Sequence, residues 1–188
     1  MDELIKAKME DGESILWQGG PESIRTLDKT NKKRFFITTI ICLLTAVVLL
    51  FLYVTNVKGD LKPSVFVIIL GMCACAPLRR LLGAAKIRKL RYVVTDKRLM
   101  IVSDEVKAVP YSRIRIAAFR SDPDNHLSFL AGERALKAAP SHWRDMALTG
   151  QSETPEPGEP VEAFAFYAVE DKAGLREAIH RVLPDVQE

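Results

Sequence analysis

The chain has 188 residues, enough for one compact domain with additional segments and too few for two full domains. Apolar content of 48% and a formal net charge of +3 exclude a disordered polyelectrolyte and a bulk nucleic-acid binder. The charge is unevenly distributed: residues 1–120 carry 21 Lys/Arg against 11 Asp/Glu, whereas residues 121–188 carry 6 against 13.

The first structured element in chain order is GESILWQGGP, residues 12–21. It predicts a β-strand with Ile15 and Trp17 on one face, ended by Gly19-Gly20-Pro21. A lone strand cannot hold itself together, so it must pair with strands from elsewhere in the chain.

Phe35 to Val54 follows as an uncharged apolar run, the length an α-helix needs to cross a hydrocarbon layer. It starts too late for a signal peptide and is expected to stay in the mature protein. A second, shorter run, SVFVIILGMCACAPL, predicts another crossing over 64–85, with Pro77 kinking its last turn. The two spans together predict a helical hairpin. Lys29, Lys32, Lys33 and Arg34 precede it; Arg79, Arg80, Lys86, Arg88, Lys89 and Arg91 follow or close it. The connecting loop holds only Lys58 and Lys62, opposed by Asp60. The positive-inside rule then places both termini in the cytoplasm of a multi-pass inner-membrane protein. Cys42, Cys73 and Cys75 fall inside the apolar runs with no His nearby, so they read as small helix side chains, and neither a metal site nor a disulfide framework is expected.

Beyond the second span, short β patterns succeed one another. Tyr92–Thr95 and Leu99–Ser103 flank a turn in which Asp96 can bond its own backbone. Val106–Val109 predicts a third strand ended by Pro110. RIRIAAF alternates, with Ile114, Ile116 and Ala118 on one face and Arg113, Arg115 and Ala117 on the other, the period of a half-buried strand. HLSFL and VEAFAFYAV predict two more, the latter with Phe164 and Phe166 inward. Residues 131–160 carry mixed signals and leave their structure open; TGQSETPEPGEP within them predicts a flexible surface loop. The chain closes with an amphipathic helix, Asp171 as N-cap, Leu175, Ala178, Ile179 and Val182 as its apolar stripe and Pro184 beyond its end.

GESILWQGGP, a membrane hairpin, YVVTDKRLMIVS and a closing helix, taken together, resemble the bacterial pleckstrin-homology-like (PH-like) membrane proteins. Their first strand reads GE-x-ϕ-L-W-x-G-x-P, and a Y-x-ϕ-T-x-x-R-ϕ hairpin, matched by Tyr92, Thr95, Arg98 and Leu99, follows their transmembrane segments. The resemblance implies a two-helix transmembrane hairpin inserted into a PH-like antiparallel half-barrel, α+β but mainly β, closed by the C-terminal helix. Residues 1–22 would supply the first strand and residues 90–188 the rest of the cytoplasmic domain; the 131–160 segment departs from the pattern. ILWQGGP and the layout are also similar to the PH-domain assembly factors of purple-bacterial photosynthetic complexes.

Signals for catalysis are sparse. Ser141, His142 and Asp145 are sequence neighbours without a nucleophile elbow or oxyanion glycines, and there is no HExxH, phosphate loop or dinucleotide fingerprint. The expectation is a non-enzymatic adaptor or assembly module without a cofactor, whose partners are the lipid bilayer and another membrane protein, with no nucleic acid; self-association stays open. The alternative is a sensor of anionic lipid headgroups. Candidate partner or lipid contacts are Arg113 and Arg115 on the predicted strand face and Lys33, Arg34, Arg79, Arg80, Arg88 and Lys89 beside the spans. The latter serve first as topology anchors, and near an anionic surface each would contribute about 1 kcal/mol to lipid attraction.

Overall fold

The strand that precedes the apolar spans finds its partner only after both of them. In the computed structural model, which describes residues 5, 8–24, 29–57, 62–149 and 159–187, β1 (Ile15–Gly19) pairs antiparallel with β2 (Arg91–Thr95). β3 (Arg98–Val102) and β4 (Val106–Pro110) complete a four-stranded sheet in the order β1-β2-β3-β4, with Tyr92 opposite Ile101 and Leu99 opposite Val109. A bulge between Ile15 and Trp17 corrects the expected face pattern: the inserted residue turns Ile15 outward, 41% exposed, while Trp17 is buried. The β2–β3 turn is also stapled differently from expectation. Thr95 Oγ1 accepts from the Lys97 and Arg98 N–H groups, whereas Asp96 Oδ1 accepts from the distant Ser14 N–H at 3.0 Å.

The RIRIAAF alternation does not form one strand. Tyr111–Arg113 is a 3-10 turn, and β5 is Ala117–Ser121. The carbonyls of Arg113 and Ile116 accept from Val161 and Gly132 N–H, so this stretch turns the corner between two sheets, with its backbone bonded outside any strand ladder. Arg113 and Arg115 therefore share no strand face. β5, β6 (Leu127–Ala131) and β7 (Phe164–Phe166) make the second antiparallel sheet. β7 is shorter than expected because Ala168 takes φ 51 and Tyr167 N–H turns to Tyr92 Oη.

Backbone bonds outside the strand ladders join the two sheets on one side. Glu22 N–H donates to Ala168 O and Glu170 N–H to Gly20 O, continuing β1 against the chain after β7. At the other side β5 is bonded by the C-terminal Gln187. The result is a mainly β core of two antiparallel sheets, with the C-terminal helix α5 (Lys172–Val182) packed against β1 and β2. Asp171 caps α5 by accepting from Gly174 N–H, and Leu175, Ala178 and Ile179 are buried. Tyr92 and Phe166 stack at 4.7 Å in the centre, with Phe119, Phe129 and Phe164 around them. The first sheet is covered on its other face too, where Ile5 and Met9 lie over Val93, Met100 and Val102.

Between β1 and β2 the chain makes two long helices, α1 (Lys29–Asn56) and α2 (Pro63–Ile87), which pack against each other. Pro77 lies well inside α2, and the helix continues ten residues past it to Ile87, so it does not mark the last turn. Both helices are long and apolar enough to cross a membrane. Many of their apolar side chains are uncovered, Val47 at 64%, Phe51 at 65% and Met72 at 72% exposure.

The segment that the sequence left open holds α3 (Glu133–Lys137) and α4 (Pro140–Thr149). Gly132 precedes α3 at φ 97, where a Cβ would lie 2.3 Å from Glu162 O, so only glycine fits. The proline- and acid-rich stretch 150–158 lies outside the described residues, as do Lys58, Asp60 and the Arg80 side chain.

Candidate functional site

The β1–β2 pair carries two side-chain locks, one beyond its Ile15–Thr95 end, away from the hairpin, and one at Trp17. Glu13, just before β1, has a fully buried side chain: its Oε1 accepts from Thr95 Oγ1 at 2.6 Å and Arg98 Nε at 2.9 Å, and its Oε2 from Arg98 Nη2 at 2.7 Å. Burial opposes ionisation of this carboxyl. The hydrogen bonds from Arg98, Thr95 and the Glu10 N–H outweigh it and bring the pKa from 4.5 down to about 2. The second lock is Trp17, whose Nε1 donates to Asp171 Oδ2 at 2.9 Å while Oδ1 of the same carboxylate caps α5. A Cβ at Gly19 would lie 2.3 Å from the Trp17 ring, so the glycine makes room for it.

The residues that carry the two motifs are thus the residues that close a sheet interrupted by the hairpin. Tyr92 belongs to the same set: its Oη donates to Tyr167 O at 2.9 Å, and burial pushes its pKa up. Thr95 and Arg98 act through Glu13 as well as through the turn, a link that turn chemistry alone could not disclose.

The flanking cations have separate fates. Lys32 and Lys33 are exposed on the first turns of α1, and Lys89 is exposed beyond α2. Arg34 is half-buried and committed: its Nη1 donates to Asp145 Oδ2 at 2.9 Å and to Ser141 O at 2.8 Å, both on α4. Arg88 Nη2 donates to Ile24 O at 2.6 Å, tying the exit of α2 to the chain after β1. Arg113 Nε donates to Glu159 O at 2.8 Å and is half-buried, whereas Arg115 is exposed on the corner between the sheets. Arg79 and Lys86 are exposed on α2.

α4 was the element least legible from sequence, and it is the strut between hairpin and sheet. It packs on α1, α2 and β7, with Trp143 and Ala147 buried, and its last carbonyl, of Thr149, accepts from Lys107 of β4. A cleft of about 940 Å³ lies between α4 and the ends of α1 and α2, lined by Phe35, Arg79, Leu82, Lys86, Arg144 and Leu148 among others. The cations beside the spans were the part of this cleft that the sequence singled out; Trp143 and Arg144 were not.

Ser141, His142 and Asp145 sit in α4, where the Ser141 carbonyl and the Asp145 carboxylate face Arg34 and His142 is exposed. Asp122, Asp124 and His126 bring potential ligand atoms within 4.8 Å of one another. The Asp122 carboxylate there is occupied with folding: Oδ1 accepts from the Asp124 and His126 N–H groups, and Oδ2 meets Tyr167 Oη and His126 Nδ1. That pattern braces the β5–β6 turn. Cys42, Cys73 and Cys75 are free thiols on the apolar helices. Comparison with known proteins returns no matching family model, no matching curated protein and no matching solved structure.

Proposed function

We propose that the chain is a membrane-anchored PH-like module that serves as a non-enzymatic adaptor or assembly factor for another membrane protein. The observation that carries this reading is the pairing of β1 with β2 across the two apolar helices. β2 begins after only three residues beyond the end of α2, so the sheet is tied directly to the second apolar helix. The Arg34–Asp145 pair and the packing of α4 on α1 and α2 stiffen the junction further. A rigidly held domain is suited to presenting one face to a neighbour in the same membrane, where tethering already supplies a high local concentration. The two antiparallel sheets, the closing helix, the Glu13–Thr95–Arg98 cluster and the Trp17–Asp171 contact support the PH-like reading; the cations at one end of the hairpin support a cytoplasmic domain with both termini inside.

Arg115 is the exposed member of the arginine pair, so a photo-crosslinking residue at 115 tests the reading in native membranes. The expected product is a discrete adduct with another integral membrane protein. Absence of any discrete adduct, at 115 and on the exposed Lys33 turn alike, would overturn the adaptor reading.

A further inference from the structure

Among the described residues, Arg144 is an arginine without an anion. Its residue exposure is 4%, and its Nε and Nη2 atoms are buried with no hydrogen-bond partner among the described residues. A guanidinium keeps its charge on burial, so such a group calls for a negative counterpart. The cleft that Arg144 lines offers none. Asp145 is the one carboxylate among the described residues lining it, and Arg34 holds that carboxylate at 2.9 Å. Two more cations, Arg79 and Lys86, line the same cleft from α2.

The walls are of the opposite character. Phe35 on α1, Met72 and Leu82 on α2, and Leu148 on α4 make an apolar surface continuous with the uncovered faces of the hairpin. The arrangement is graded along the helices. Met72 lies about 20 Å of helix from Lys86 at 1.5 Å per residue, so the apolar end points along the span and the cationic end toward the sheet. A soluble anion would use only the cations. A buried apolar side chain of a partner would leave Arg144 unpaired. A molecule with a phosphate at one end and a hydrocarbon chain at the other satisfies both.

We propose that this cleft binds one anionic phospholipid, its phosphate on the Arg144 guanidinium with Arg79 and Lys86 beside it, and an acyl chain over Leu82 and Leu148. The planar fork of arginine suits two phosphate oxygens together, which a lysine at 144 would not reproduce. The assignment rests on the membrane-anchored reading, since it needs the hairpin base to lie at headgroup depth. A lipid seated there would brace α4 against the hairpin and so couple the domain's attitude to the composition of the leaflet.

The test uses the full-length protein, first checked for retention in native membranes under alkaline carbonate, then transferred to nanodiscs of equal phosphatidylglycerol and phosphatidylcholine and analysed by native mass spectrometry. One phosphatidylglycerol per chain should be retained, preferred over phosphatidylcholine by about tenfold or more, a difference of about 1.4 kcal/mol. Arg144→Gln should bring the preference close to unity. Gly83→Phe guards against misfolding at 144: a Cβ there meets Leu148 Cδ1 at an ordinary 3.5 Å, so the ring extends into the cleft while the helix gains propensity. It should lose the retained lipid, and Arg115→Gln, outside the cleft, should keep it. Equal retention of both lipids by the wild type, or unchanged preference in both cleft variants, would overturn the proposal while leaving the anchor intact. Displacement of the lipid by excess inorganic phosphate would assign the cleft to a soluble anion instead. Release of the chain by carbonate would remove the anchor and the lipid site together.

Discussion

Substituting Glu13 by glutamine removes one charge from the lock that closes the interrupted sheet and leaves Arg98 facing a neutral amide. The Glu13 side chain is fully buried and the Arg98 side chain is 17% exposed, and loss of one partner from a buried pair costs about 3–5 kcal/mol. Glutamine retains an acceptor oxygen for Thr95 or Arg98, which reduces the cost to about 2–3 kcal/mol. An independent route gives a similar size. A pKa lowered from 4.5 to about 2 corresponds to about 3.5 kcal/mol at about 1.4 per unit, and partial solvent screening through Arg98 brings it to about 2. For a chain of this length that is a fall of about 5–10 °C in the thermal midpoint. Tryptophan fluorescence of the full chain in micelles reports it, since Trp17 and Trp143 both lie in the main core.

The sign of the pH dependence follows from the depressed folded value. The stabilisation is complete above the unfolded value of 4.5 and is lost as pH falls through about 2. The gap between wild type and Glu13→Gln should therefore be constant from neutral pH to about 5, and roughly half closed near pH 3. A gap that stays parallel down to pH 3 would refute an ionised Glu13 as the source of stability. A gap of zero at pH 7 would refute the lock itself.

Trp17→Ala should cost about 3–5 kcal/mol by chemical denaturation, and Trp17→Phe clearly less, because most of the ring packing survives without the Asp171 contact. A soluble chain of residues 90–187 should gain thermal stability when residues 8–22 are fused to it through a flexible linker, since Trp17 and the half-buried Leu16 restore about 3–5 kcal/mol of apolar burial; identical midpoints would rule out β1 as a component of the domain. With Cys42, Cys73 and Cys75 replaced by alanine, a cysteine at Asn56 should react with an impermeant reagent from outside the cell and one at Ser121 only after permeabilisation. Labelling at Ser121 in intact cells would reverse the assigned orientation.

What the sequence determined alone is what depends on neighbours in the chain. Two apolar helices of spanning length, the β2–β3 hairpin, the Asp171 cap and the Leu175–Ile179 stripe are all set by local period, local length or a cap three residues from its donor. Even the need for β1 to find a distant partner was legible, because a single strand has unsatisfied edges. Tertiary structure decided the rest. The bulge that turns Ile15 outward arises from the β2 register, and the RIRIAAF alternation gives way because Val161 and Gly132 claim its carbonyls. Glu13 meets Arg98 across 85 positions of sequence, and Arg34 meets Asp145 across 111. Charge pairing across such distances leaves no periodic trace. The same holds for Arg144, whose sequence context resembles any helical Trp-Arg-Asp: only the packing of α4 against the hairpin strips its water and makes a surface residue type into a buried charge.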